Sequence, residues 1–212
     1  MPLNSQDAAD QFAQVLARAR RHDADAVATL YQRALPTIYR YVVARSKRPD
    51  LAEDIVADVF LTMVEAISEL RADHEAGFFA WLLRIAQGKV ARALHLAAQQ
   101  HQHQQPLAES EPATTWPGID LIATDLASDP EALHEWREVV QELGIALGML
   151  SVEQQIVIIG RFLAGQSIEA LAQGLGKQPG AIRALQFRAL GALADHLGNG
   201  RKPRRGGKGG RA

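Results

Sequence analysis

Ser167–Leu193, SIEALAQGLGKQPGAIRALQFRALGAL, is the stretch that decides how the C-terminal part of this chain folds. Apolar residues at helical spacing predict a short first helix, and the Ser167 hydroxyl can cap it by accepting an unpaired amide hydrogen. Gly174 and Gly176 are expected to form the following turn, and Pro179 suits the first position of a second helix. Two helices joined by a tight turn form a helix-turn-helix pattern, although ordinary helical hairpins look similar.

The second helix of this pattern separates an apolar face from an outward-facing one. Four residues are expected to point into the core: Ile182, Leu185, Ala189 and Leu193. Four others are expected to be exposed: Arg183, Ala184, Phe187 and Arg188. A helix that presents arginines outward can enter the major groove of DNA. From this segment alone, DNA binding and a purely structural hairpin both stay open.

The composition is that of a globular protein. The 212 residues are 47% hydrophobic and 22% charged, which suffices for one or two domains with real cores. The chain has no cysteine, which excludes disulfides and thiolate metal sites within it. The N-terminus lacks the apolar centre of a signal peptide, and no apolar run approaches the roughly 20 residues that span a bilayer. We therefore expect a cytoplasmic protein without membrane insertion.

The net charge of −1 conceals an uneven distribution along the chain. Residues 1–95 carry 12 acidic and 12 basic side chains, whereas residues 96–150 carry nine acidic side chains and the single Arg137. Residues 151–212 carry three acidic and ten basic side chains. The basic C-terminal part suits a polyanion such as DNA, because counterion release favours binding. The acidic middle would be repelled by DNA and needs another explanation.

Periodicity predicts an all-α protein with two helical domains. Within the first, helices are expected at Ala24–Arg45, Pro49–Leu70 and Gly77–Ala98, with a kink or break at Pro36. No strand-like alternation persists anywhere between them. The predicted parts are a helical bundle at 8–98, a flexible acidic linker at 99–128, a helix-turn-helix domain at 129–197 and a disordered basic tail at 198–212.

No constellation in the sequence supports catalysis. The GLGKQPG stretch fails as a phosphate-binding loop, because Leu171 and Gln178 replace required residues and no strand precedes it. Asp54 and Asp58 share a helix face, but no nearby ligand completes a metal set. Four histidines lie in or beside the glutamine-rich linker without fixed geometry: His95, His101, His103 and His134. We expect no catalytic residue, no metal, no cofactor and no enzymatic activity.

Several blocks of the sequence resemble bacterial sigma factors of the extracytoplasmic-function group of the sigma-70 family. The N-terminal blocks are LYQRALPTIYRYVVAR (Leu30–Arg45), LAEDIVADVFLTMV (Leu51–Val64) and FFAWLLRIAQGKVARAL (Phe78–Leu94). The C-terminal blocks are DPEAL (Asp129–Leu133) and Leu147–Leu193. The resemblance covers about two thirds of the chain, and the blocks occur in the family's order.

The resemblance implies a dissociable subunit that binds the beta and beta-prime subunits of core RNA polymerase and directs initiation at promoters. It places contacts to the beta-prime clamp helices at Glu53, Asp54 and Asp58. It places contacts to the minus-ten element at Arg71, His74, Phe79, Arg84, Gln87 and Lys89. It places contacts to the minus-thirty-five element at Gln178, Gly180, Arg183, Ala184, Phe187 and Arg188. The acidic linker would thread the positively charged interior of the polymerase, and an anti-sigma factor is the implied inhibitor.

The sequence also departs from the family pattern, chiefly in the third helix. Where the family has Ala-Arg-Asn, an aspartate and a pair of arginines, this chain has Ala86-Gln87-Gly88, Arg92 and His95-Leu96. The acidic helix lacks the usual glutamine and tryptophan, since Ala57 and Val64 stand there. These departures favour an alternative, a sigma-like protein-interaction module that regulates polymerase or titrates another factor. The helix-turn-helix and the basic tail favour a promoter-specificity factor.

Overall fold

The computed structural model describes residues 5–46, 49–103 and 130–200. These residues form helices and contain no β-strand, which confirms the all-α prediction for the described part of the chain. In chain order the helices are α1 (Ser5–Ala19), α2 (Ala24–Ser46), α3 (Pro49–Ala66), α4 (Glu75–His103), α5 (Pro130–Met149), α6 (Val152–Phe162), α7 (Ile168–Leu175) and α8 (Pro179–Gly200). A short 3-10 turn, Ile67–Glu69, follows α3.

Helices α1–α4, here called the N-terminal helix group, enclose the largest core. Apolar residues recur every three or four positions, so each helix presents one face to the others. The side chains that are almost completely buried include Leu16, Leu30, Ile38, Phe78 and Leu82. Burying one such side chain contributes about 1.5–3 kcal/mol. This core therefore fixes α4 firmly against α1, α2 and α3.

The sequence predicted a kink or break at Pro36, and helix α2 continues through this residue without a break. Proline removes one backbone hydrogen bond and disfavours a helix interior. Ala34 and Ile38, on either side, are nevertheless completely buried in the core. This packing on both sides holds the helix together across the missing bond.

The helix-turn-helix forms largely as its capping and turn residues predicted. The Ser167 side chain accepts a hydrogen bond from the Ala170 amide, and Gly176 ends α7 in the left-handed region with φ 62°. Pro179 is the first residue of α8, as expected. The four residues predicted to face the core are all buried: Ile182, Leu185, Ala189 and Leu193. Gly174 does not form the turn, because it lies inside α7.

Helices α5–α8, here called the C-terminal helix group, pack against the N-terminal helix group. The link is α6, whose Ile156 and Ile159 are 1% exposed and belong to the core of α1–α4. On its other sides α6 buries Val157 against α7 and α8, and Ile158 against α5 and α8. The apolar stretch Ile156–Ile159 covers more than one side of the helix, and all four of its residues are buried.

The helix ends differ from two predicted boundaries. Helix α4 extends to His103, five residues into the segment predicted as a linker from residue 99. Helix α8 extends to Gly200, although the basic tail was predicted to begin at 198. The remaining linker residues 104–128, Asp129 of the predicted helix-turn-helix domain and tail residues 201–212 lie outside the described residues. The division into two domains stays a prediction.

Among the residues that the structure describes, no helix is both long enough and apolar enough to cross a bilayer.

Removing the cap of α6 should weaken the structure measurably. The Ser151 side chain accepts from the Gln154 amide, and the Gln154 side chain accepts from the Ser151 amide, forming a capping box. We expect Ser151→Ala to lower the free energy of unfolding by about 1 kcal/mol. Urea denaturation followed by circular dichroism measures this change. Ser151→Thr, which keeps a capping hydroxyl, is the control; equal stability of Ser151→Ala and the parent would contradict the role.

Candidate nucleic-acid interface

The outer face of α8 carries the side chains best placed to contact nucleic acid. Arg183, Ala184, Phe187 and Arg188 are all exposed, as predicted from the sequence. Phe187 is 81% exposed, an unusual position for a phenylalanine in a monomeric domain. Residues spaced by four lie on one helix face, so Arg183 lies beside Phe187, and Ala184 beside Arg188. The face combines two cations with a large apolar ring.

Arg183 is held by a neighbour on the preceding helix. Its Nη2 lies 3.2 Å from Oε1 of Glu169 on α7, and both side chains are more than 60% exposed. An ion pair this exposed contributes about 0–1 kcal/mol to stability. The pair is therefore weak enough for a phosphate or a base to replace Glu169. The ion pair orients the guanidinium group of Arg183 but does not hold it in one position.

The N-terminal end of α8 is exposed at Gln178 and Gly180. The Gln178 carbonyl oxygen accepts hydrogen bonds from the amides of Ala181 (2.9 Å) and Ile182 (3.3 Å), so the residue begins the helix through its backbone. Amides in the first turn of a helix lack acceptors within the helix and attract anions. Both residues are placed where a DNA phosphate can approach.

The residues assigned to the minus-ten element lie along α4 and the loop before it, in different environments. Arg71 and Arg84 are exposed. The ring nitrogen Nδ1 of His74 accepts a hydrogen bond of 3.0 Å from the Gly77 amide, so this side chain caps the start of α4. Arg71 and Arg84 can therefore reach DNA, whereas the His74 side chain is used to cap α4.

Phe79 corrects the sequence-based assignment. It is 4% exposed and belongs to the core of α1–α4. Its ring packs edge-on against Phe78 with 5.6 Å between centroids. Because the first turns of α4 are covered by the rest of the group, adjacent residues are buried together. The Phe79 side chain therefore has no surface to offer a base.

Gln87 and Lys89 each contact another part of the protein. Gln87 Nε2 donates to Gln155 Oε1 at 3.2 Å and to the Val152 carbonyl oxygen at 3.3 Å, both in the C-terminal helix group. Lys89 Nζ lies 2.7 Å from Oδ1 of Asp58 on α3. The contact between Lys89 and Asp58 connects residues that the resemblance assigned to different partners.

Helix α3 presents an acidic face to solvent. Glu53, Asp54 and Asp58 are exposed, as the apolar stripe on the opposite side predicted. Leu61 lies three residues beyond Asp58 and is 58% exposed, so the face is not purely charged. The sequence alone did not single out Leu61, because a leucine in an amphipathic helix is usually expected in the core.

An apolar groove lies between α2 and α3, and its walls include the exposed Tyr31 and Val64. It has a volume of ≈ 480 Å³. Tyr31 packs edge-on against Phe60 with 4.6 Å between ring centroids, which shapes the wall. A second groove continues from Tyr31 to Glu53 and Tyr39. The signal available in the sequence was Tyr31, an aromatic residue followed by the polar Gln32 and Arg33.

Burial perturbs two tyrosines of α2. Burial, with a smaller contribution from the Glu53 carboxylate, raises the pKa of Tyr39 above its usual value. Burial also raises the pKa of Tyr41, which the nearby Arg45 partly offsets. Both hydroxyls therefore stay neutral at physiological pH and act as hydrogen-bonding groups.

Within residues 5–46, 49–103 and 130–200, no three His, Cys, Asp or Glu side chains are grouped so that they could hold a metal ion. His134 instead lies 3.5 Å from Glu138, one helical turn away on α5. The side chains that the site offers are cations, amides and apolar groups, which suit binding rather than bond-making chemistry.

Two phenylalanine substitutions should differ in their effect on stability, because Phe79 is buried in the core and Phe187 is exposed on the proposed interface. We expect Phe79→Ala to lower the free energy of unfolding by about 3–5 kcal/mol, because it leaves a cavity in the core. We expect Phe187→Ala to change it by less than about 0.5 kcal/mol, because the ring is solvent-exposed. Chemical denaturation of both variants measures the difference. Similar losses in the two variants would contradict the placement of these rings.

Comparison with protein families gives a match to Sigma-70 region 2 over residues 30–99. The chain is 29% identical over 193 residues to the ECF RNA polymerase sigma factor BldN of Streptomyces coelicolor, covering 91% of this chain and 68% of BldN. It is 30% identical over 187 residues to the ECF RNA polymerase sigma factor SigD of Mycobacterium tuberculosis, covering 86% of this chain and 82% of SigD.

A similar fold occurs in a solved structure, that of CnrH in complex with the cytosolic domain of CnrY. The TM-score is 0.54 at 20% sequence identity, and the match covers 89% of this chain and 97% of that chain. At this identity the likeness concerns the fold. The sequence relatives carry the assignment, and they agree with the resemblance found in the N-terminal and C-terminal blocks. The chain belongs to the ECF sigma factors of the sigma-70 family.

Proposed function

We propose that this chain is a cytoplasmic sigma factor that binds core RNA polymerase and selects promoters through a minus-ten and a minus-thirty-five element. The observation that carries the proposal is the outer face of α8, where Arg183, Phe187 and Arg188 are exposed on the second helix of a well-capped helix-turn-helix. Membership of the ECF sigma factors supports the role in transcription initiation. No step of this function requires catalysis by the chain.

Recognition of the minus-thirty-five element follows from the geometry of α8. A recognition helix of this kind lies in the major groove with its N-terminal residues near the base edges. Arg183 and Arg188 can each pair with the O6 and N7 acceptors of guanine, and the Phe187 ring can pack on a thymine methyl group. The exposed amides around Gly180 then face a backbone phosphate. Phosphate contacts set the register, and the three side chains read the sequence.

The minus-ten contacts are proposed for a smaller set of residues than the sequence suggested. Arg71 and Arg84 remain the best placed, because both are exposed on or next to α4. The Lys89 ammonium group pairs with the Asp58 carboxylate, which offsets part of the positive charge of Lys89. Capture of an unstacked base would need aromatic or polar groups at this surface. With Phe79 in the core, the amide of Gln87 is the polar group that suits a base edge.

Polymerase binding is proposed for the exposed face of α3 and the groove beside it. Glu53, Asp54 and Asp58 supply negative charge for a basic partner surface, and Leu61 supplies an apolar contact at the centre. Interfaces combine such an apolar centre with a polar rim. An anti-sigma factor is proposed to compete for the same face, because the apolar groove at Tyr31 adjoins it.

Arg183→Ala should weaken binding to minus-thirty-five DNA by roughly 10-fold or more, because a bidentate base contact contributes about 1–3 kcal/mol of discrimination. Fluorescence anisotropy with specific and scrambled duplexes at fixed salt measures this. Arg21→Ala, which removes an exposed arginine on the N-terminal helix group, is the matched control and should leave affinity nearly unchanged. An equal loss on specific and scrambled DNA would show that Arg183 only contacts phosphates.

Asp54→Ala combined with Asp58→Ala should abolish most promoter-specific transcription, because these carboxylates face the proposed polymerase surface. Run-off transcription with core RNA polymerase on fragments of the source genome measures this, and pull-down of core measures binding. The matched control removes two exposed helical carboxylates elsewhere, Glu142→Ala with Asp195→Ala. Stable binding of the parent to core without any new start site would favour the protein-interaction module instead.

A further inference from the structure

Two cations of the helix-turn-helix are paired with carboxylates of the same helix group. Residues 151–212 carry three acidic side chains. Two of the three lie against cations near the start of α8: Glu169 is 3.2 Å from Arg183, and Glu153 is 3.0 Å from Lys177, measured between nitrogen and oxygen. A surface whose sole task was to attract DNA would gain affinity from unpaired cations, because each cation that binds a phosphate releases a counterion. The two carboxylates therefore need a reason.

Glu169 lies where its carboxylate would meet the DNA backbone. The residue is in the first turn of α7, which is the first helix of the helix-turn-helix. In this motif the first helix crosses the DNA backbone, and the second helix lies in the major groove. A carboxylate in the first turn of α7 repels the phosphates that pass it, whereas the Arg183 guanidinium group attracts them. Arg183 thus meets DNA next to a fixed negative charge.

The ion pair leaves Arg183 able to bind a base. Its contact to Glu169 uses one terminal nitrogen, Nη2, and a guanidinium group carries five N–H donors. A guanine edge in the major groove offers two acceptors, O6 and N7, and carries no net charge. Arg183 can therefore donate to a guanine while its contact to Glu169 persists. A phosphate on the same guanidinium group would bring a second negative charge close to the Glu169 carboxylate.

The helix dipole of α7 also favours an acidic residue at this position. Acidic side chains in the first turn of a helix interact favourably with its positive end, and Glu169 is in that turn. This interaction accounts for the carboxylate but not for its hydrogen bond to Arg183, which is 14 residues further along the chain. A role in DNA binding, in contrast, requires that the effect of Glu169 on affinity depends on Arg183.

We infer that Glu169 is a specificity-determining residue of the helix-turn-helix, because it hinders phosphate contacts by Arg183 and permits contacts to a guanine. The inference rests on the proposed function, since it takes α8 as the helix that reads the minus-thirty-five element. On other DNA, where Arg183 meets phosphates, the carboxylate lowers the affinity. At the minus-thirty-five element the base contact of Arg183 avoids most of this cost. Glu169 acts through Arg183 and is a positioning residue.

Glu169→Gln in the full chain tests this role, since it removes the charge and retains the size of the side chain. We expect the variant to bind a scrambled duplex roughly 2- to 5-fold more tightly than the parent, the range that an exposed ion pair spans. Affinity for a minus-thirty-five duplex chosen from mapped start sites should change less, so the ratio of specific to scrambled affinity falls. Fluorescence anisotropy at fixed salt measures both affinities.

The salt dependence of the same measurement reports the number of phosphate contacts. On scrambled DNA, the logarithm of the affinity of Glu169→Gln should fall more steeply with the logarithm of the salt concentration. The slope should steepen by about 0.9 if Arg183 gains one phosphate. A loss of the favourable dipole interaction alone would not change this slope.

Glu153→Gln is the matched control, because it frees the other paired cation, Lys177, by the same change of charge. Lys177 precedes α8 and is not on its outer face, so we expect it to contact phosphates of either duplex. Glu153→Gln should therefore raise both affinities by the same factor and leave their ratio unchanged. Circular dichroism should show the parent's helicity for both variants.

A double variant tests whether Glu169 acts through Arg183. In the Arg183→Ala background, Glu169→Gln should lose most of its gain on scrambled DNA. The same gain with and without Arg183, an equal gain on both duplexes, or no gain on scrambled DNA would overturn the inference and leave minus-thirty-five recognition standing. A parent that binds both duplexes equally, with a gain in Glu169→Gln that requires Arg183, would support the hindrance of phosphate contacts and count against minus-thirty-five recognition.

Discussion

The middle of helix α6 is buried on every side, and both helix groups depend on that constraint. From Gln155 to Gly160 each residue is buried, so this part of α6 has no solvent-exposed face. Ile156 and Ile159 enter the core of α1–α4, whereas Val157 and Ile158 enter the two smaller cores of the C-terminal helix group. Exposing such a helix to water would cost about 25 cal/mol for each Å² of apolar surface. The helix therefore joins three cores that would otherwise be separate.

The same helix explains why a polar residue is buried at the contact. Gln155 lies directly before the apolar run that begins at Ile156, next to the capped first turn of α6. A buried amide needs partners for both its oxygen and its nitrogen, and Tyr41 and Leu150 provide them. An apolar residue at 155 would leave the Tyr41 hydroxyl without this acceptor. The geometry of a single side chain thus fixes how α2, α4 and α6 fit together.

Much of the fold was predictable because its signals are local. The Ser167 cap, Gly176 in the left-handed region and Pro179 at the start of α8 act within a few residues, so the sequence indicated all three. The exposed face of α8 follows from the helical repeat alone. Family resemblance supplied the candidate partners, which neither caps nor periodicity could supply.

The wrong or incomplete predictions share a dependence on distant parts of the chain. Gly174 was assigned to a turn, but the backbone of α4 approaches it and requires glycine inside α7. Phe79 was assigned to DNA, but the core formed by three other helices covers it. Gln87 bonds to residues more than 60 positions away. Sequence spacing carries no record of such contacts, because tertiary packing alone creates them.

The hydrogen bonds between the helix groups respond to ionic strength differently from contacts to DNA. The Arg45 guanidinium donates to the Gly144 carbonyl oxygen, and the other side chains of these bonds, Tyr41, Gln87 and Gln155, carry no net charge. Dissolved ions therefore screen little of the attraction between the helix groups. Contacts to phosphates, in contrast, weaken steeply as salt rises, because bound counterions must be displaced. A rise in salt concentration would therefore weaken DNA binding and leave the packing of the two helix groups on each other almost unchanged. Conditions that strongly change the affinity for DNA would thus leave the fold as it is.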